Sequence, residues 1–205
     1  MTHHRLGQLS DGIFAIVMTL LVFEIRLPSF YVTPSNAQLL MALKSLVPAF
    51  LAYLLSFSLL FTYWRAHHFF VSIYAKNVDL MLTNINAIFF MLISLIPLST
   101  SVLARYSENE VSVLFFGVHI ILIGLVLFWM RQYVLYSEQI KNPEITRHEI
   151  FGSTVRTVAP IIFAVVAILI SLVNIKLSLA IFTLAVIFNL SSASSRFFEK
   201  IFGRR

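Results

Sequence analysis

Charged and hydroxyl side chains stand at both ends of the first hydrophobic segment. Arg5, Ser10 and Asp11 precede an apolar run whose one hydroxyl belongs to Thr19, and the run ends at Glu24. A carboxylate is costly to bury in a bilayer, so ionisable side chains at the edge of a membrane span are typical of ion or substrate pathways. The pattern therefore indicates a path across a membrane.

The composition predicts an integral membrane protein. Hydrophobic residues make up 59% of the chain and charged residues 12%, and the mean hydropathy is +0.90, well outside the range of soluble domains. The 205 residues form one domain, 1–205, with room for about six spans of roughly 20 residues each. Because cysteine is absent, disulfides, thiolate metal sites and thiol nucleophiles are excluded. The net charge of +6 forms no basic stripe on a soluble fold, so nucleic acid is not an expected partner.

Hydrophobic runs and turn residues divide the chain into six predicted transmembrane helices. Pro28 ends the first, Pro48 lies in the second and Pro97 lies near the end of the third. The predicted spans cover about residues 8–27, 46–71, 78–102, 111–134, 150–173 and 177–195. A mildly amphipathic stretch, 37–46, precedes the second span. We therefore expect an all-α, multi-pass membrane protein surrounded by lipid.

The distribution of basic residues predicts the orientation. Eleven of the fifteen Lys and Arg residues fall on the side of the two termini and four on the other. Cytoplasmic flanks are enriched in Lys and Arg, so we expect both termini in the cytoplasm and the protein in the cell membrane. The first hydrophobic run lacks a small-residue cleavage site, which argues against a removable signal peptide.

The first helix has one apolar face. At 100° per residue from Asp11, a set of five residues falls between about 80° and 180°. This set comprises Gly12, Ile16, Thr19, Leu20 and Phe23. Such faces would form a narrow, apolar pore, but the same periodicity also suits ordinary packing or lipid contact. Helical geometry alone leaves these readings open.

These residues resemble the first-helix signature of the transmembrane protein 175 family, which comprises endolysosomal and prokaryotic potassium channels. The resemblance rests on Arg5-xxx-Leu9-Ser10-Asp11-Gly12 followed by Ala15-Ile16-xx-Thr19-Leu20-Leu21-xx-Glu24-Ile25. Trp64 and the His67-His68 pair at the end of the second span are similar to an aromatic and histidine cluster of that family. Leu9 stands where the family usually has phenylalanine, and Phe23 where an aliphatic residue is common.

The resemblance implies a homotetramer of six-helix subunits in which the first helices line a central pore. It places the pore constriction at Ile16, Leu20 and Phe23, with the Thr19 hydroxyl nearby to assist selection. The implied function is a potassium-selective cation channel with no cofactor, whose permeant ions are K⁺. Because the Thr-Val-Gly-Tyr-Gly filter sequence is absent, selection would use an arrangement other than rings of carbonyls.

The polar residues near the inner end are expected to clamp the first two helices together. If the helices pack side by side, Arg5, Ser10 and Asp11 can pair with Trp64 and with His67 or His68, because buried charge needs partners. A proton-sensitive role for a histidine is the alternative. The two adjacent histidines diverge by about 100° on a helix and lack further ligands, so no metal site is expected.

Two other functional classes fit the residues less well. A secondary transporter or proton-coupled cation permease would be expected to have internal repeats or matched helix breaks at mid-membrane. An intramembrane enzyme needs catalytic groups converging at one depth, whereas Asp11, His67 and His68 gather at one edge. Glu24, at the outer end of the first helix, can attract cations or pair with Arg26, Lys44 or a neighbouring subunit.

Overall fold

The computed structural model describes residues 3–190, and the last part of the predicted sixth span, 191–195, lies outside them. The described chain forms eight α-helices that group into six membrane segments. The helices are α1 (His3–Leu20), α2 (Asn36–Ser45), α3 (Val47–His68), α4 (Leu80–Ser94), α5 (Ile96–Arg105), α6 (Glu110–Tyr136), α7 (Arg147–Ser171) and α8 (Ile175–Leu190). The predicted all-α membrane fold is confirmed.

Four helical segments in the described part of the chain are long and apolar enough to cross a bilayer. They are His3–Glu24, Asn36–Tyr74, Leu80–Arg105 and Glu110–Tyr136. Shorter apolar stretches, Thr157–Ser171 and Ile175–Leu184, lie in α7 and α8. A span of about 20 residues crosses the hydrocarbon core, so the 39 residues of the second segment exceed one crossing. The excess includes α2, which buries only Ala42 among its ten residues.

Proline and capping residues account for the helix boundaries. The Ser35 hydroxyl accepts from the backbone N–H of Gln38, whose side chain accepts from the Ser35 N–H, so α2 begins with a capping box. Pro48 and Pro97 lie in the first turns of α3 and α5, where a missing N–H costs least. The second and third segments are therefore each divided in two.

The end of α1 tightens into a 3₁₀ turn at Leu21–Glu24. Side chains three residues apart eclipse each other in a 3₁₀ helix, so Phe23 lies more directly in line with Leu20 than ideal α-helical spacing predicts. At the other end of the bundle, α3 passes into a π-helical turn at Phe69–Tyr74. We call the end where α1 begins the proximal end and the end where it finishes the distal end.

The core is centred on α6, which contacts α4, α5, α7 and α8. Gly117 and Gly124 face α7, and a Cβ at Gly124 would lie 2.5 Å from Ile161 Cγ1. The same helix carries Phe116, whose ring meets that of Phe182 on α8 edge to face at 5.5 Å. Close approach of helices through small residues is a common way to gain packing inside a bilayer.

Hydrogen bonds join the helices where prolines interrupt them. His119 Nε2 on α6 donates to the Leu92 carbonyl near the α4–α5 break at 3.0 Å, and its Nδ1 lies 2.8 Å from Ser99 Oγ. Thr100 donates to Ser56 Oγ on α3 at 2.7 Å. Polar groups freed by a broken helix must find partners in the protein because lipid offers none.

Substituting Gly124 tests the close α6–α7 contact. Gly124→Ala should lower the free energy of unfolding by about 1–3 kcal/mol, the usual cost of overpacking a core, even though alanine favours helices. Gly7→Ala is the matched control, because a Cβ at Gly7 meets nothing within 4 Å. Thermal unfolding of the purified protein measures both variants, and equal stabilities of the two would contradict the close contact.

Candidate functional site

The buried face of α1 is held against α3 and α4. Leu6, Phe14, Val17 and Leu21 are each at most 4% exposed, and they recur at the three- and four-residue spacing of one helical face. The Phe14 ring lies 6.1 Å from that of Phe89 on α4. This packing holds α1 against its own subunit.

A buried hydrogen-bonded chain runs from α1 through α3 to α4. Ser10, His67 and Asn86 are at most 2% exposed. Ser10 Oγ lies 3.1 Å from His67 Nδ1, and His67 Nε2 lies 2.5 Å from Asn86 Oδ1. The His67 ring also stacks on Phe89, with centroids 5.2 Å apart and planes 2° from parallel.

The direction of each bond in this chain follows from its last member. Asn86 Nδ2 donates to the Leu82 carbonyl at 2.8 Å, so Asn86 turns its carbonyl oxygen to the histidine and His67 Nε2 must donate. In a neutral imidazole the other nitrogen, Nδ1, is then an acceptor. It accepts a hydrogen bond from the Ser10 hydroxyl. When His67 is neutral, all three polar side chains therefore have hydrogen-bond partners.

A second pair joins α1 to α3 at the surface. Trp64 Nε1 donates to Asp11 Oδ1 at 2.8 Å, and the Trp64 ring stacks on His68 with centroids 6.2 Å apart. Ser72 Oγ lies 3.4 Å from His68 Nδ1. The sequence predicted a cluster of Arg5 with five further residues, which are Ser10, Asp11, Trp64, His67 and His68. The structure brings these five together at the proximal end. Arg5 is exposed and forms no ion pair within the described residues.

The opposite face of α1 is exposed in the subunit. Ile16, Leu20 and Phe23 are 60%, 43% and 62% exposed. Gly12 and Thr19 are also exposed, and a Cβ at Gly12 would meet nothing within 4 Å. The five residues that the helical wheel grouped therefore share one exposed face of the subunit.

The Thr19 hydroxyl bonds to its own helix. Its oxygen lies 3.0 Å from the Ala15 carbonyl and 2.8 Å from the Ile16 carbonyl. The single hydroxyl proton is directed to these two carbonyls. A hydroxyl oxygen keeps acceptor capacity when its proton is donated. The outward side of Thr19 can therefore offer an oxygen to a cation.

Glu24 is anchored at the distal end. Its Oε2 lies 4.0 Å from Arg105 Nη2 at the end of α5, and the Glu24 side chain is 16% exposed against 58% for Arg105. Arg26, one of the partners considered from the sequence, donates instead to the Phe23 carbonyl at 2.8 Å. The carboxylate therefore ties the 3₁₀ turn to α5, and Arg105 offsets part of its charge.

Sequence reasoning missed Asn86. The signal was present, because an asparagine within the predicted third span, 78–102, is unusual for a membrane segment. What the sequence lacked was the identity of its partner, which lies 19 positions away on α3. In the described residues, no group of three or more His, Cys, Asp or Glu side chains is placed to hold a metal ion.

Removing members of the buried chain tests its contribution. Asn86→Ala leaves His67 Nε2 buried without an acceptor and should lower the free energy of unfolding by about 1–3 kcal/mol. Ser10→Ala should cost about 0.6–1.7 kcal/mol, the range for interhelical bonds in bilayers. Ser72→Ala is the matched control on an exposed serine, and thermal unfolding in detergent should rank the three variants in that order. Equal midpoints for Ser10→Ala and Ser72→Ala would contradict the assignment.

Known proteins are similar to this chain in sequence. The family described as "Endosomal/lysosomal potassium channel TMEM175" matches residues 5–97. The protein named Potassium channel Cha6605_3372 from Chamaesiphon minutus is 30% identical over 92% of this chain and 94% of its own length. A Danio rerio protein named "Endosomal/lysosomal proton channel TMEM175" is 26% identical over 69% of this chain and 28% of its own.

A solved structure has the same fold. The crystal structure of a lysosomal potassium-selective channel TMEM175 homolog from Chamaesiphon minutus superposes with a TM-score of 0.78 at 29% identity, over 92% of this chain and 96% of that one. The similarity extends over nearly the whole chain, so it concerns the fold of the entire bundle. The chain belongs to the TMEM175 family of membrane channels.

Proposed function

We propose that this chain is the subunit of a potassium-selective cation channel in which α1 lines the pore. The observation that carries the proposal is the exposed α1 face, where apolar side chains alternate with Gly12 and Thr19. Membership of the TMEM175 family and the potassium-channel name of the Chamaesiphon relative support it.

The small residues on this face favour close assembly of several copies. Within the subunit nothing requires glycine at position 12, since a Cβ there has open space. Small and hydroxyl residues at membrane-helix contacts let neighbouring backbones approach. We therefore infer that α1 helices from four identical subunits meet around a central axis, in the homotetramer implied by the sequence resemblance.

The constriction is formed by rings of Ile16, Leu20 and Phe23. Their exposure leaves them free to project toward the axis, and the 3₁₀ turn brings Phe23 into line with Leu20. Apolar constrictions lose their water and block ions until they widen. These rings therefore act as a hydrophobic gate.

Selection combines the cost of dehydration with a weak oxygen site. Potassium sheds its hydration shell at lower cost than sodium, so a narrow apolar ring favours it. Thr19 adds an oxygen beside the rings, because its proton is already directed to the α1 backbone. Without carbonyl rings, the preference for potassium is lower than that of a carbonyl filter. At the distal mouth, Glu24 adds a negative potential that Arg105 reduces.

The buried polar residues favour a structural rather than a catalytic role. Ser10 and His67 already have hydrogen-bond partners, and Asp11 holds Trp64. A catalytic centre needs a nucleophile and a base facing a space for substrate. We therefore infer that the protein is not an enzyme and uses no cofactor. The excess of basic residues on the side of the two termini supports cytoplasmic termini and a channel in the cell membrane.

Proton permeation is the second candidate function. The Danio relative carries the name of a proton channel, and a hydrated pore that passes potassium also offers protons a water path. A proton-coupled permease would instead link the two fluxes at a fixed ratio. Measuring both ions in the same vesicles distinguishes a channel from such a permease.

Opening the Ile16 ring tests the pore assignment. In liposomes with opposed potassium and sodium gradients, the unmodified channel should give a reversal potential directed toward potassium. Ile16→Asn places a polar amide in the ring, so the constriction stays wet and the potential should fall toward zero as total flux rises. Ile162→Asn, on an exposed position of α7, is the matched control and should keep the original potential. Unaltered selectivity in Ile16→Asn would refute a pore lined by α1.

Replacing Thr19 separates the hydroxyl from the shape of the side chain. Thr19→Val keeps the volume and removes the oxygen, so the potassium-to-sodium permeability ratio should fall while conduction persists. Thr19→Ser, which keeps the hydroxyl, should retain more of the preference. The comparison is made from reversal potentials, and an unchanged ratio in Thr19→Val would assign selectivity to the apolar rings alone.

A further inference from the structure

A large cavity opens at the distal end of the bundle, away from the α1 face. It lies between α3 and α8 and is covered by the α5–α6 and α7–α8 turns, with a volume of about 870 Å³. Binding sites for small molecules usually have volumes of about 300–1,000 Å³. The cavity is therefore large enough for a ligand of that class.

The walls of the cavity are apolar and reach into the membrane segments. Ala52, Leu55 and Leu103 line its depth and are buried. Leu51 on α3 and Ala180 on α8 also line it and are exposed. The cavity is therefore open to the surroundings of the subunit between α3 and α8.

The rim at the end of the bundle carries charges of both signs. Glu108 belongs to the α5–α6 turn, Glu110 begins α6, and Lys176 lies in the first turn of α8. All three are exposed, and within the described residues none forms an ion pair. Opposite charges thus border one cavity without neutralising each other.

We propose that this cavity binds one membrane phospholipid whose head group carries a phosphate and a primary amine. An acyl chain lies along the apolar walls between α3 and α8. Lys176 binds the phosphate, and Glu108 and Glu110 bind the ammonium group, because charge-assisted hydrogen bonds are the strongest available to these groups. The occupant is an amphiphile because apolar walls and a charged rim meet in one space.

Filling the cavity tests whether an acyl chain occupies it. The purified full-length assembly is incubated with phosphatidylethanolamine, and bound lipid is counted by native mass spectrometry. Ala180→Trp places an indole in the cavity and should abolish the adduct. Leu177→Trp is the matched control, one turn earlier on α8, 52% exposed and outside the lining, and it should retain the lipid. Ala180→Leu provides a smaller obstruction if the tryptophan variant does not assemble.

The head-group variants test the charge complementarity. Lys176→Gln should reduce binding of phosphatidylethanolamine and phosphatidylglycerol alike, since both carry the phosphate. Glu108→Gln combined with Glu110→Gln should remove the preference for phosphatidylethanolamine, which alone carries the amine. Equal lipid binding in Ala180→Trp and the unmodified protein, or no lipid bound by the unmodified assembly, would overturn the proposal. If a neighbouring subunit fills the cavity, the unmodified assembly will bind no lipid there. All of these measurements count bound lipid, so they do not depend on ion flux.

Discussion

The rotation of α1 about its own axis is the constraint on which the rest of the structure depends. Apolar packing of Phe14 and Val17 is non-directional and tolerates small rotations. The bond between Ser10 and His67 does not, because turning the helix would leave a hydroxyl and an imidazole nitrogen unsatisfied in an apolar interior. Since His67 is in turn held by Asn86, one chain of bonds determines which face of α1 the subunit presents outward.

The same physical rule applies to the break in the third segment. A proline in a membrane helix removes a backbone donor, and the freed groups need partners within the protein. His119 supplies one at the Leu92 carbonyl, and Thr100 joins Ser56 across the neighbouring helices. The α4–α5 break is therefore also a point at which this segment is joined to α6 and α3. A break placed without such partners would destabilise the bundle.

The two ends of α1 are held by different kinds of interaction. At the proximal end, neutral hydrogen bonds and the Trp64–Asp11 pair fix the helix. At the distal end, Glu24 lies 4.0 Å from the exposed Arg105, and an ion pair with a solvent-exposed partner contributes little to stability. The proximal end is thus the firmer attachment. Movement of α1 that widens the apolar rings would more readily involve the 3₁₀ turn than the buried chain.

The sequence by itself determined the class, the six segments and the residues of the α1 face. Those properties follow from hydropathy, proline positions and helical periodicity, which are local and can be counted along the chain. The predicted ends differ from the observed ones by a few residues, as in 8–27 against His3–Glu24, because capping and the 3₁₀ turn depend on neighbouring structure.

Only the tertiary structure decided which polar groups meet. Asn86 as the acceptor for His67, Arg105 as the partner of Glu24 and the cavity between α3 and α8 all join residues from different segments. Helical periodicity places a side chain on a face but does not say which helix lies against that face. That choice depends on how the whole bundle packs, because inside a bilayer the shape of neighbouring helices and the need to satisfy buried polar groups select the partners.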